Sequence, residues 1–306
     1  MVSGEYKWSL RKGGKKIRCP QCGKMRFVPF VLTADPSVLA GEQYGRCDRE
    51  QSCGYFRYPG KEVAVTNDAK PEPRPELPPA LFPINELSDI WHTAAYLRNS
   101  LFVAYCPLVG SDRLAVEMME YHVATGASGH CIFPQFDGHW MRTAKAIMYG
   151  ADGHRLKGDD GEVFPVYWLH KAPQYDYYMQ CHQLKQCLFG QHFLTIFPEW
   201  EVWIVEAEKT ALLMAATDDR THRLWLACGG SQMLKGAIDL SCLRGRDVTL
   251  VPDDGQYWNW KRTADANGWH CVDISLEHEA YGLPDGFDVW DLQEIDIKKT
   301  LKTDKL

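Results

Sequence analysis

Short apolar runs alternate with helix-like segments in the last third of the chain, and this alternation is the strongest constraint on its fold. The run Glu201–Val205 leads into a helical segment, Leu224–Ala227 leads into two glycines, and Asp247–Val251 ends at Pro252 and two aspartates. Strands that are buried on both faces have continuous apolar sequences, and the helices between them act as crossovers. The order β-α-β-α-β therefore predicts an α/β domain with a mostly parallel sheet over residues 195–306.

Carboxylates stand directly after these predicted strands. Glu206 follows the first run, Asp253 and Asp254 follow the third, and Asp288 and Asp291 come later. Ligand sites of open α/β sheets lie at the carboxyl ends of the strands, so these side chains are predicted to converge there. Carboxylates in such a place suit Mg²⁺ or Mn²⁺ in phosphoryl or nucleotidyl transfer. The alternative for each of them is a helix cap.

The first sixty residues contain a metal-binding pattern. Cys19 and Cys22 are separated by two residues and followed by a glycine, and Cys47 and Cys53 supply a second pair. Four thiolates around a tetrahedral Zn²⁺ can hold together a segment that is too small for a good apolar core. We therefore predict a structural zinc ribbon over residues 1–62. The five-residue gap in the second pair is longer than usual, and unliganded reduced cysteines or redox chemistry are the alternatives.

Aromatic and basic residues surround the cysteines of this predicted ribbon. Aromatic rings beside cations suit stacking on single-stranded bases with contacts to phosphates. The alternative is that these rings form the small core of the ribbon. Arg46 and Arg57 are the predicted nucleic-acid contacts, and the neighbouring residues are Lys24, Arg26, Phe27, Phe30, Tyr44, Tyr55, Phe56 and Tyr58.

Between these two regions the sequence predicts a linker and a mixed domain. Residues 63–83 are polar and rich in proline, which is typical of an extended linker. Residues 84–194 begin with helical spacing and change to short strands from about Cys131. This pattern predicts a helical and α+β middle segment.

The charge is distributed unevenly along the chain. The net charge is −6, but residues 1–61 contain twelve Lys or Arg against five Asp or Glu. A basic amino-terminal segment can attract phosphates, and an acidic remainder can hold Mg²⁺. Solubilising surfaces are the alternative explanation for both.

The composition also excludes some classes of protein. No run of about twenty apolar residues is present, so we expect no membrane partner. Residues Met1–Leu10 lack an apolar signal core, and eleven cysteines are compatible with reduced thiols, so we expect a cytoplasmic protein. No P-loop motif occurs, so any helicase motor would have to be a separate chain.

The acidic motifs resemble a known family. Residues 205–211 (Val-Glu-Ala-Glu-Lys-Thr-Ala), 227–230 (Ala-Cys-Gly-Gly) and 250–255 (Leu-Val-Pro-Asp-Asp-Gly) are similar to the Toprim pattern of primases and type IA topoisomerases. The resemblance implies that Glu206 and Asp253 are the catalytic and Mg²⁺-binding acids. The second aspartate of the family motif would fall at Gly255, so Asp254 is the substitute that the resemblance implies. Asp288 and Asp291 resemble a later acidic motif of the family.

The resemblance extends over nearly the whole chain. A Cys-Pro-x-Cys ribbon ahead of a Toprim domain is the order in bacterial DnaG-type and phage primases, and residues 187–190 (Cys-Leu-Phe-Gly) are similar to proteins of phages and mobile elements in Bacteroidota. A basic subdomain precedes Toprim in primases. The resemblance therefore implies contacts to nucleic acid or nucleotide phosphates by Arg142, Lys145, Arg155, Lys157 and Lys209.

These observations predict a primase-like nucleotidyltransferase with structural Zn²⁺ and catalytic Mg²⁺ or Mn²⁺. The expected partners are a single-stranded DNA template, nucleoside triphosphates and a separate replicative helicase. A non-catalytic nucleic-acid-binding protein of replication or mobilisation is the first alternative, which Gly255 favours. A Toprim nuclease is the second alternative.

Overall fold

The computed structural model describes residues 7–13, 16–49, 52–60, 77–84, 87, 94–158, 161–218 and 222–303. The chain divides into two compact units, Met1–Pro75 and Glu76–Leu306, and each is described by itself. The predicted linker up to residue 76 lies outside the described residues, as do residues 85, 86 and 88–93 near the start of the segment with helical spacing.

The first unit is an antiparallel ribbon built around its second strand. Its strands are β1 (Trp8–Leu10), β2 (Phe27–Leu32), β3 (Asp35–Leu39), β4 (Gly45–Cys47) and β5 (Phe56–Arg57). Strand β2 pairs with β1, β3 and β4, and β4 pairs with β5. Gly45 allows the close approach of β4 to β2, because a Cβ at this position would lie 2.3 Å from the Val28 carbonyl oxygen.

The second unit contains an antiparallel and a parallel sheet. Its strands are β6 (Ala124–Thr125), β7 (Cys131–Asp137), β8 (Trp140–Ile147), β9 (Tyr167–Trp168), β10 (Glu201–Val205), β11 (Arg223–Ala227), β12 (Val248–Leu250) and β13 (His270–Cys271). Its helices are α1 (Ser100–Val109), α2 (Ser111–Glu120), α3 (Asp176–Cys181), α4 (Phe193–Ile196), α5 (Glu208–Thr217), α6 (Tyr257–Asn267), α7 (His278–Tyr281) and α8 (Val289–Thr303). The prediction of a mixed α/β protein is therefore confirmed.

The parallel sheet has the strand order β11-β10-β12-β13. Each described pairing in it is parallel, as the alternation of strands and helices predicts. The connections β10-α5-β11 and β12-α6-β13 run in opposite directions from the middle of the sheet. Because such crossovers are right-handed, α5 and α6 cover opposite faces. Helix α5 packs against α1, α2 and α8 on its side of the sheet.

A large hydrophobic core joins several helices and both sheets of the second unit. Leu101 of α1, Phe133 of β7, Leu212 of α5 and Trp290 of α8 are buried members of it. The two predicted segments 84–194 and 195–306 thus share a core.

Candidate metal, cleft and nucleic-acid sites

The four cysteines of the ribbon come together as a metal site. The Sγ atoms of Cys19 and Cys53 lie 3.8 Å apart, and those of Cys22 and Cys47 lie 3.9 Å apart. All four Sγ atoms lie within 4.8 Å of one another. A tetrahedron with Zn–S bonds of about 2.3 Å has sulfur–sulfur edges of about 3.8 Å, so this donor set fits Zn²⁺.

Backbone turns direct the thiols toward one point despite the unequal spacing of the two pairs. The Gly23 N–H donates to the Cys19 carbonyl at 2.9 Å, and Gly23 has a φ of +68°, which closes the first turn. The Cys53 N–H donates to the Arg49 carbonyl at 2.7 Å, so the longer gap also folds back on itself. The backbone N–H of Lys24 lowers the pKa of Cys22 and favours the thiolate that binds metal.

The aromatic residues of the ribbon divide between core and surface. Phe27 and Phe30 are buried, while Phe56 is 57% exposed and Tyr58 is 46% exposed. Arg46 lies directly opposite Phe56 in the pairing of β4 and β5. The sequence analysis offered a place in the ribbon's core and stacking on bases as alternatives. The first describes Phe27 and Phe30, and the exposure of Phe56 and Tyr58 suits the second.

The ribbon's second predicted cation, Arg57, packs on an aromatic ring. Its guanidinium lies 5.3 Å from the centroid of the Tyr44 ring. A cation next to aromatic rings is the combination that suits single strands.

A cleft of about 270 Å³ lies at the carboxyl edge of the parallel sheet. Its first wall comes from β8 and the loop that follows it, and its second wall from the ends of β10 and β11 and from α5. The side chains that matter for its chemistry are Lys145, His154, Arg155, Glu206, Glu208, Lys209 and Asp288. The cleft therefore offers cationic and anionic groups on its two walls.

Three of the predicted catalytic acids, Glu206, Asp253 and Asp291, have a raised pKa, and burial is the first cause for each. Burial raises the pKa of Glu206, whose carboxylate also accepts a hydrogen bond from the Ser231 N–H. Burial and the charges of Asp288, Glu206 and Asp291 raise the pKa of Asp253 to about 8. In the described part of the chain no hydrogen-bond donor reaches the Asp253 carboxylate. Perturbed carboxyls beside a cleft mark a candidate functional site.

Asp288 and Asp291 form a reciprocal cap at the start of α8. The Asp291 N–H donates to the Asp288 carboxylate at 3.1 Å, and the Asp288 N–H donates to the Asp291 carboxylate at 2.9 Å. This is a capping box, which satisfies two backbone donors at the end of a helix. Thr210 of α5, which the sequence did not single out, donates to Asp288 at 2.6 Å. The helix-cap alternative thus describes the geometry of both aspartates.

Asp254 has a structural contact of its own. Its carboxylate accepts a hydrogen bond from the Gly286 N–H at 3.0 Å and fixes the loop before α8. Gly255 has a φ of +77°, in the left-handed region that favours glycine. The chain turns at this position, where the family pattern has its second aspartate.

Lys145 is buried in an ion pair, whereas the sequence predicted a phosphate contact for it. Its ammonium donates to both carboxylate oxygens of Glu208, at 2.8 and 3.0 Å, and the two side chains are 7% and 2% exposed. The Gly229 carbonyl lies 3.4 Å from the same ammonium. A Cβ at Gly229 would lie 3.1 Å from the Glu208 carboxylate, so glycine leaves room for this pair. No local sequence pattern indicates this role of Glu208, because its partner lies 63 residues away.

Arg142 and Arg155 occupy different surroundings, although both were predicted to contact phosphates. Arg142 pairs with Asp137 across its own hairpin at 2.6 Å. Arg155 is exposed and lines both the cleft and an adjoining pocket of about 440 Å³. Lys157 lines that second pocket. Of the predicted basic residues on this segment, Arg155 and Lys157 are the exposed ones.

Lys209 is held at the second wall of the cleft. Its ammonium donates to the Tyr105 hydroxyl at 3.4 Å, and that hydroxyl donates to the Gly153 carbonyl at 3.2 Å. Burial lowers the pKa of Lys209, but the charges of Asp288 and Asp291 and the contact with Tyr105 together outweigh burial, so the pKa is raised and the cation persists. Tyr105 is a residue of the site that the sequence analysis missed.

Among the described residues, Cys19, Cys22, Cys47 and Cys53 are the one group of three or more possible metal ligands that lie close enough together to hold an ion. The acidic residues do not form such a group. No helix in the described ranges is long and apolar enough to span a membrane.

The fold and these sites define a zinc-ribbon protein with a second, mixed α/β unit. A putative zinc beta-ribbon finger family model matches residues 6–68. The model of the Domain of unknown function (DUF6371) matches residues 99–254, more than half of the chain, and the chain belongs to that family. This match includes Lys145, Glu206 and Asp253. No curated protein and no solved structure matches the chain.

Proposed function

We propose that this protein is a primase-like nucleotidyltransferase that acts on single-stranded DNA. The observation that carries the proposal is that Glu206 and Asp253 follow two adjacent parallel strands, β10 and β12, at the carboxyl edge of the sheet. Burial and neighbouring carboxylates raise the pKa of Asp253 to about 8, which agrees with this crowding. Two crowded carboxylates need a cation to be ionised together at neutral pH. The resemblance to Toprim sequences supports the same pair of acids.

The donor set of this edge suits a divalent cation. Mg²⁺ is bound through one or two carboxylates together with substrate phosphates, so a third protein ligand is not required. Glu206 and Asp253 would hold the ion. Bound there, Mg²⁺ or Mn²⁺ would neutralise phosphate charge and favour displacement at phosphorus.

The cationic residues supply the remaining functions of the proposed site. Arg155 is exposed at the cleft and Lys209 is held by Tyr105, so both can contact the phosphates of an incoming nucleoside triphosphate. A primer 3′-hydroxyl would attack the α-phosphate, the bond to the β-phosphate oxygen would break, and pyrophosphate would leave. The zinc ribbon, a fold that suggests nucleic-acid binding, would hold the template through Arg46, Arg57 and Phe56.

The test is primer synthesis on single-stranded DNA with labelled nucleotides and Mg²⁺ or Mn²⁺. We expect short products with the wild type and none with Glu206→Ala or Asp253→Ala. Asp112→Ala, which removes an exposed carboxylate from α2, is the control and should retain synthesis. Synthesis that survives both cleft variants would reject the proposal. Metal-dependent cutting of DNA without added nucleotides would indicate a nuclease.

A non-catalytic nucleic-acid-binding protein is the second candidate, and one set of contacts favours it. The carboxylates of Asp254, Asp288 and Asp291 accept hydrogen bonds from backbone N–H groups. Three of the five predicted catalytic acids therefore have structural roles. Metal-independent binding of single strands, with no incorporation by the wild type, is the result expected for this candidate.

A further inference from the structure

Trp258 is an exposed tryptophan close to the candidate acidic edge. Its side chain is 74% exposed, whereas Trp260, two residues later, is 1% exposed. Helix α6 begins four residues after Asp253, so its first turn lies at the carboxyl edge of the sheet, where Glu206 also lies.

Cations accompany this tryptophan on the helix surface. Residues three and four apart lie side by side on a helix, so Lys261 and Arg262 are the neighbours of Trp258. Arg262 is exposed, and Lys261 is ion-paired with Asp265. An exposed ring beside cations combines a stacking platform with phosphate contacts, as single-stranded nucleic acids require.

We propose that the surface formed by Trp258, Lys261 and Arg262 binds single-stranded nucleic acid, with one base stacked on Trp258 and a phosphate on Arg262. This surface would direct the strand toward Asp253. The inference rests on the proposed nucleic-acid substrate, but it does not require catalysis. It adds a second contact region for the strand, on a different unit from the zinc ribbon.

The first test separates stacking from charge with the full-length protein. Binding of a fluorescent oligothymidylate of about twelve nucleotides is compared with that of the same strand carrying abasic sites. We expect Trp258→Ala to weaken binding of the normal strand by roughly tenfold and to change binding of the abasic strand little.

The matched control is Trp140→Ala. Trp140 is 58% exposed and begins β8, whereas the last residue of β8, Ile147, lines the cleft. Lys145, the cleft residue of β8 nearest to Trp140 in the strand, lies five positions further along, which separates the two by about 16 Å. We expect Trp140→Ala to leave both affinities unchanged. Equal effects of the two tryptophan variants would reject the inference.

The second test concerns Arg262. Each phosphate contact to a single strand contributes about 0.7 to the slope of log K against log salt concentration. We expect Arg262→Gln to reduce that slope by about this amount. Arg113→Gln, which removes an exposed cation from α2 on the α5 side of the sheet, should leave it unchanged. An unchanged slope in Arg262→Gln would reject the phosphate contact.

Photocrosslinking locates the strand directly. An oligonucleotide with 5-bromodeoxyuridine should crosslink to tryptic peptide 247–261, which contains Trp258. Crosslinks confined to residues 1–75 would overturn the inference. Absence of nucleotide incorporation together with intact base-dependent binding at Trp258 would reject the proposed catalysis and leave this inference standing.

Discussion

The ammonium of Lys145 lies 2.8 and 3.0 Å from the two carboxylate oxygens of Glu208, with both side chains buried. Lys145 belongs to β8 of the antiparallel sheet and Glu208 to the first turn of α5. The Lys145 ammonium also lies 5.7 Å from the centroid of the Trp168 ring. The pair therefore ties the first wall of the cleft to the second.

Breaking this ion pair on one side should strongly destabilise the second unit. Lys145→Met leaves the Glu208 carboxylate buried without its cation, which costs about 3–5 kcal/mol. The double variant Lys145→Met/Glu208→Leu removes both charges and should recover most of that loss. Urea unfolding of the wild type, Lys145→Met, Glu208→Leu and the double variant measures the coupling. Additive losses in the double variant would contradict a direct pair.

Zinc should be required for the order of the first unit. The small ribbon has limited apolar core, so metal binding contributes directly to its folding free energy. We expect one zinc per chain by elemental analysis, and loss of the metal with rapid proteolysis inside residues 1–75 in Cys47→Ser. Cys181→Ser, at an exposed cysteine outside the cluster, should retain both metal and protection. Full zinc content in Cys47→Ser would contradict the four-cysteine site.

Asp253 should make the metal-free protein less stable as pH rises. Because its pKa is raised from 3.8 to about 8, the folded state binds more protons than the unfolded state between those values. The free energy of unfolding therefore falls with increasing pH in this window. Asp253→Asn should remove the effect and stabilise the protein at pH 8 by roughly 1–3 kcal/mol, less than the full shift implies because solvent screens the site.

The measurement is thermal unfolding of both proteins at pH 5 and pH 8 in the presence of a chelator. The stabilisation by Asp253→Asn should be larger at pH 8 than at pH 5. Added Mg²⁺ should stabilise the wild type more than the variant, because a bound cation favours ionised carboxylates. A variant with the same pH dependence as the wild type would show that Asp253 titrates normally.

Two substitutions at Asp288 distinguish a helix-capping role of its side chain from a role of its negative charge. Asn and Asp are comparable N-caps, so Asp288→Asn should keep the stability of α8, while Asp288→Ala should lose about 0.5–2 kcal/mol. If the residue acts only as a cap, nucleic-acid binding and any synthesis should also survive in Asp288→Asn. Chemical denaturation gives the stability, and the primer assay gives the activity. Loss of synthesis in a stable Asp288→Asn would assign the carboxylate to the reaction.

The sequence alone determined the features that depend on local pattern. Cysteine spacing predicted the zinc site, because two thiols on a tight turn must point together. Alternating apolar runs predicted the parallel sheet, and the position of Glu206 and Asp253 after two strands predicted the edge at which they lie. Each of these follows from residues that are near in the chain.

Only the tertiary structure decided which predicted residues are available at the site. Lys145 and Glu208 are 63 residues apart, and no local pattern shows that burial forces their charges to pair. Trp258 and Trp260 lie on opposite sides of α6, because two residues turn a helix by about 200°. Which of the two sides faces the sheet depends on how α6 packs against β12 and β13. Burial and ion pairing depend on how the helices and sheets pack together. The sequence could therefore predict candidate residues, but only the fold decides which of them are buried or paired and which are exposed.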